Sequence, residues 1–99
     1  MRYFLITFDV NTQETECFLA DLLNKTKNLL NTLKLNNDDF SLKQHKHVIF
    51  IVDMHEKLTE NFLADMYRKE IIKEGDFLNK YHGKFNFFVK EVNDDIGIV

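Results

Sequence analysis

Proline is absent from this chain of 99 residues, tryptophan is absent, and glycine occurs three times. No proline-rich or glycine/serine-rich run divides the sequence, and no internal repeat or low-complexity segment is visible. A single domain over residues 1–99 is therefore expected, long enough for one modest core. Cysteine occurs once, at Cys17, which excludes an internal disulfide and suits a reducing compartment. No apolar run approaches the ~18 residues that a membrane span needs. The N-terminus lacks the basic, apolar and small-residue order of a secretory signal. A cytoplasmic protein with no membrane attachment is expected. A basic excess is also missing, with 13 Lys and Arg against 16 Asp and Glu and a net charge of −3. Non-specific nucleic-acid binders displace counterions with Lys and Arg. The balance here leaves room only for a local basic patch.

What is plentiful is phenylalanine, ten residues in a chain that is 44% apolar, so much of the core volume should be aromatic. The segment "YFLITFDV" reads as a first strand, rich in β-branched and aromatic residues. Its alternation puts Phe4, Ile6, Phe8 and Val10 on one face and Tyr3, Leu5, Thr7 and Asp9 on the other. "NTQE" supplies a helix start, with Asn11 as cap and Glu14 at the capping-box position. Phe18, Leu19, Leu22, Leu23, Leu29, Leu30 and Leu33 recur at helical spacing, which predicts a helix over residues 12–35. "NNDD" then forms a turn. "FSLKQHKHVIFIVD" reads as a hairpin whose second strand is a continuous apolar run. Thr59 is placed to cap a second helix with the stripe Phe62, Leu63, Met66, Tyr67, Ile71 and Ile72. Gly75 marks a break, Asp76 can cap a short extension to Tyr81, and Gly83 a stop. "KFNFFVKEV" is the last strand. The tail over residues 93–99 is either flexible or an added edge strand.

The order β-α-β-β-α-β predicts an α+β, ferredoxin-like domain, a four-stranded antiparallel sheet with two helices on one face. The second face then exposes Tyr3, Leu5 and parts of the later strands. An exposed apolar face normally marks an interface, so a homodimer or another protein partner is expected there.

Asp9 is the first candidate for chemistry. It ends an apolar strand on the helix-free face. A carboxylate there can ligate Mg²⁺, which takes one or two carboxylates plus waters and substrate phosphates. Two copies of Asp9 across a dimer axis could share the metal. As structural punctuation, Asp9 would instead bond the backbone amides of Asn11 or Thr12. Thr7, Asn11 and Thr12 are the nearby groups that could position water or phosphate. The second candidates are His45 with His47, and Asp53 with His55, pairs two residues apart that can converge on a transition metal. Two histidines could also cleave RNA by general acid–base chemistry without metal. The two pairs flank opposite ends of one strand, ~20 Å apart, so one site cannot use both within a protomer. His45 and His47 lie among Lys43 and Lys46 and read more easily as a solvated hairpin tip, since no complete ligand set is visible. Cys17, beside the first apolar stripe, is expected to be buried and structural. The pairs Asp38/Asp39 and Asp94/Asp95 are expected to be solvated loop charges.

"YFLITFDVNTQETECFLADLL" is similar to the opening of the small CRISPR-associated spacer-acquisition nucleases, closest over "FDVNT". "HVIFIVDMHEKLTENFLADM" resembles that family's third strand, turn and second helix. Virulence-associated protein D, a related toxin-like ribonuclease, shares the plan. The resemblance implies a ferredoxin-like homodimer in a prokaryotic defence setting. It also implies cleavage of nucleic acid with a metal held by Asp9, or a non-catalytic scaffold for a DNA-integrating partner. The charge balance and the lone carboxylate support a different reading, a non-enzymatic protein-binding module such as a small phage or mobile-element inhibitor of a host nucleic-acid machine.

Overall fold

The computed structural model describes residues 1–11, 15–72 and 84–92. In chain order the elements are β1 (Arg2–Asn11), α1 (Thr15–Thr32), β2 (Phe40–His45), β3 (Val48–Asp53), α2 (Glu60–Tyr67) and β4 (Lys84–Val92). From Arg68 to Ile72 the chain continues α2 as a π-helical turn. The strands form one sheet in the order β2-β3-β1-β4, with every neighbouring pair antiparallel. This is the α+β, ferredoxin-like arrangement that the element order predicts. Among the described residues no helix is long and apolar enough to cross a membrane. The expected capping box at Glu14, the break at Gly75, the Asp76 cap and its extension, the stop at Gly83 and the tail 93–99 lie outside the described residues.

The central strand β1 sorts its side chains by parity, as expected. Phe4, Ile6 and Phe8 are buried and join Phe18, Leu22 and Leu30 of α1 and Leu63, Met66 and Tyr67 of α2 in one core. Tyr3 and Leu5 are half-buried, and Thr7 and Asp9 are exposed. Both helices therefore cover the same face. Phe8 and Phe87 pack around the Tyr67 ring, each with centroids 5.6 Å from it. The Tyr67 hydroxyl shares a 2.9 Å hydrogen bond with Thr26, whose own Oγ1 reaches the Leu22 carbonyl at 2.8 Å. Burial pushes the Tyr67 hydroxyl well above its ordinary pKa of 10.0, against the smaller opposing effect of the Thr26 bond, so it stays neutral.

Helix α2 starts where expected, with the Thr59 side chain accepting from the Phe62 amide at 3.1 Å. Helix α1 ends earlier than residue 35. The Leu35 amide bonds the Leu30 carbonyl and the Lys34 amide bonds that of Asn31, with Lys34 at φ 69°. These are the paired bonds of a Schellman stop, with lysine at the left-handed position that glycine usually fills. With no glycine to mark it, the stop is invisible to periodicity. Leu33 is consequently turned out of the stripe and is 44% exposed. Three further expectations are corrected. Cys17 is exposed, because Phe18, Leu19 and Leu22 fix the inward face of α1 and leave it on the flank. Phe62 lies at the rim of the α2 stripe, 37% exposed. Asp39 is buried rather than solvated, for a reason given below.

Replacing Lys34 by glycine should remove the left-handed penalty and raise stability by about 1 kcal/mol. For a domain of this size that is an increase of ~4–8 °C in the thermal midpoint, read by circular dichroism.

Candidate functional site

The pairing register sets out the helix-free face as rows across the sheet. Tyr3 lies between Val52 and Val92, Leu5 between Phe50 and Lys90, and Thr7 between Val48 and Phe88; Asp9 pairs with Asn86. On the far side of β3, Lys43 pairs with Phe50 and His45 with Val48. Phe88 is 65% exposed. Phe50 is 2% exposed although both helices lie on the other face, and the Tyr3 ring stacks near it at 6.2 Å and 12°.

At the Asp9 end of this face the β2–β3 turn, Lys46 and His47, comes alongside β1. Lys46 takes φ 51°, the positive φ that a two-residue hairpin needs at its first loop position. The Phe8 amide donates to the His47 carbonyl at 2.8 Å and holds the turn in place. The outcome is an open hollow of about 510 Å³ lined by Thr7, Phe8, Asp9, His47, Asn86, Phe87 and Phe88. Asp9 is exposed and makes no hydrogen bond or ion pair with the described residues. The alternative in which it bonds a turn amide is not realised at Asn11, and Thr12 lies outside the described residues. Asn11 is the last residue of β1, opposite Lys84.

Thus Asp9, Thr7 and His47 share one hollow, whereas the remaining candidates are dispersed. His45 ends β2 on the open face and is exposed. Asp53 faces the helices, fully buried, and its carboxylate accepts from the Lys57 amide at 3.0 Å and the Leu58 amide at 2.8 Å. Its work is to shape the loop before α2, helped by Arg2, whose Nη1 donates to the Leu58 carbonyl at 2.9 Å. His55 turns instead to Asp39, with Nε2 at 3.7 Å, and Lys57 reaches the same carboxylate at 3.3 Å. Asp53 and His55 therefore do not form a ligand pair. Among the described residues no group of three or more His, Cys, Asp or Glu side chains could hold a metal.

Two lining residues, Asn86 and Phe88, were not singled out from the sequence. The signal was present in "FNFFV", where alternation puts them together on the side opposite Phe87 and Val89. Compared with known proteins, the chain matches no protein-family model, no curated protein and no solved structure.

Removing the Asp53 carboxylate leaves the buried Leu58 amide and the part-buried Lys57 amide without an acceptor, so Asp53→Ala should lower stability by about 3 kcal/mol in urea titrations. Asp39 behaves differently. The Asn36 amide, at 2.8 Å, is the main cause holding its carboxyl below the ordinary value of 3.8. Desolvation opposes this, and Lys57 and His55 add to it. A lowered folded-state pKa stabilises the fold fully above the unfolded value, and that contribution is lost as pH falls through the folded value. The stability difference between the native protein and Asp39→Asn should therefore be flat from about pH 5 to 7 and shrink in more acid solution.

Proposed function

We propose that this protein is a small nuclease-like protein that meets a phosphodiester at the Asp9 hollow. The observation that carries this reading is an exposed carboxylate without a partner among the described residues, grouped with Thr7, His47 and Asn86 beside an exposed aromatic ring. The donors there are hard oxygens, from a carboxylate, a hydroxyl and an amide, the class that Mg²⁺ takes. Mg²⁺ usually keeps several waters and substrate oxygens, so one carboxylate suffices if a phosphate supplies the rest. A second Asp9, from another copy across a two-fold axis, is the other way to complete such a site. When bound, the cation would neutralise charge building on the phosphate. Asp9 would hold it, and Thr7 and Asn86 would orient the phosphate or a water. The His47 imidazole would exchange a proton with the attacking or leaving oxygen.

A second reading, a protein-binding module, draws on a different region. Leu29, Leu33, Phe62 and Met66 line a largely apolar groove of about 350 Å³ between the two helices. Two of them, Leu33 and Phe62, are among the exposed large apolar side chains. Such a groove suits an apolar side chain from a partner.

Labelled RNA and DNA, single- and double-stranded, incubated with the protein and Mg²⁺ test the first reading. Cleavage should be abolished by chelator and fall by ~100-fold or more in Asp9→Ala. The folding midpoint should stay unchanged, since Asp9 supports nothing in the core. Full cleavage by Asp9→Ala, or none by the native protein, would sink the catalytic reading.

A further inference from the structure

We propose that β2 is an open sheet edge that takes up an extended, acidic segment of a partner protein as an added strand, with Lys43 and Lys46 as its charge partners. This border of the sheet is separate from the Asp9 hollow, and its occupancy does not depend on cleavage.

The outer side of β2 has free backbone groups. β2 and β4 are the outer strands of the described sheet, so each has a single neighbour. In an antiparallel pair, residues that bond across the pair alternate with residues that turn their N–H and C=O outward. The Met54 amide donates to the Asp39 carbonyl at 2.9 Å, just before the start of β2. Asp39, Ser41, Lys43 and His45 therefore bond toward β3, in agreement with the two-residue turn that joins His45 to Val48. Phe40, Leu42 and Gln44 present their amides and carbonyls on the outer side. Among the described residues no backbone or side-chain group takes these up. At the other border a side chain intrudes, since the Glu91 amide of β4 donates to Glu60 Oε2 at 2.9 Å.

Charge and side-chain parity define the occupant. Lys43, His45 and Lys46 are exposed along the edge, and so is Lys27 of α1, which lines an open hollow of about 230 Å³ with Asn37, Phe40 and Leu42. None of these lysines makes an ion pair among the described residues. From Leu33 to His47 the acids are Asp38 and Asp39, and Asp39 is already engaged by the Asn36 amide, Lys57 and His55. The edge is thus locally basic in a chain of net charge −3. Lysine on an edge strand deters self-pairing, because a second copy would bring the lysines of both edges to one seam. The same charges favour a strand that carries carboxylates. Side chains of an added strand alternate between the two faces. Those on the helix side would meet Leu42 and the hollow, and those on the open side would lie beside Ser41, Lys43 and His45. An apolar residue alternating with an acidic one suits both rows. Nucleic acid has no alternating amides and carbonyls to pair with the free backbone, so the edge favours a peptide.

Fluorescence anisotropy tests this with a labelled peptide of about nine residues alternating valine and glutamate, and with its valine–lysine counterpart. The glutamate peptide should bind and the lysine peptide should not. Two further versions carry N-methyl groups, on the valine amides or on the glutamate amides. Only one set of amides can face β2, so one version should lose binding and the other keep it, with the charge identical in both. Gln44→Pro should weaken binding roughly tenfold or more, because it removes an outward donor while the ladder to β3 remains. Circular dichroism checks its folding, and the N-methylated peptides decide if it does not fold. Lys43→Glu combined with Lys46→Glu should reverse the preference toward the lysine peptide. Equal binding of the two peptides, loss in both or in neither N-methylated version, or native-like binding by a folded Gln44→Pro overturns the proposal. Absence of glutamate-peptide binding by the native protein also overturns it, and a native dimer that becomes monomeric in Gln44→Pro then assigns the edge to a second copy. Single-stranded DNA that displaces the peptide and binds Gln44→Pro equally well overturns it in favour of a polyanion.

Discussion

The two-residue alternation along β1 governs this structure, because that strand is central and its two sides meet different surroundings. Phe4, Ile6 and Phe8 are almost entirely removed from water, in one core with α1 and α2. Burying side chains of this size contributes about 1.5–3 kcal/mol each. Shifting the register by one residue would exchange them for Leu5, Thr7 and Asp9, placing a carboxylate in an aromatic core. That penalty locks β1 against β3 and β4, and the lock places every row of the open face.

Scarcity of glycine shapes the connections. Lys34, Lys46 and Glu56 all take positive φ, at 69°, 51° and 54°. Each follows or closes an element: the end of α1, the β2–β3 turn and the loop after β3. Side chains and terminal groups stabilise these bends. The Asp39 carboxylate caps the turn amide of Asn36, and Asp53 gathers the amides of Lys57 and Leu58. Asp39, expected as a solvated loop charge, and Asp53, expected as a ligand candidate, therefore serve the fold, whereas Asp9, near the end of β1, serves no described contact.

The architecture then divides labour between its faces. The helix side holds the core and a largely apolar groove, while the open side holds the aromatic rings of Tyr3 and Phe88, two lysines and the hollow at Asp9. Phe88 lines the hollow at Asp9 and stands exposed on the same side of the sheet.

Much of the fold was legible because hydrophobic periodicity is a local property of the chain. Period two marked β1 and separated Phe4, Ile6 and Phe8 from Tyr3, Leu5, Thr7 and Asp9, and period 3.6 marked both helices. The β-α-β-β-α-β order and the Thr59 cap followed from the same local signals. The end of α1 was not legible, since a left-handed lysine carries none of glycine's signature. Nor were the burial of Asp39 and the pairing of Thr26 with Tyr67, 41 residues apart. Of the site, sequence by itself determined that Asp9 lies on the side of β1 away from the helices; the strand itself continues to Asn11. Only the tertiary structure decided that His47 and Asn86 join it, that Asp53 and His55 do not, and that the lysines of a net acidic chain share its face. The reason is physical: a face is assembled by hydrogen-bonded register between strands distant in sequence, and no local pattern encodes which residue will lie opposite which.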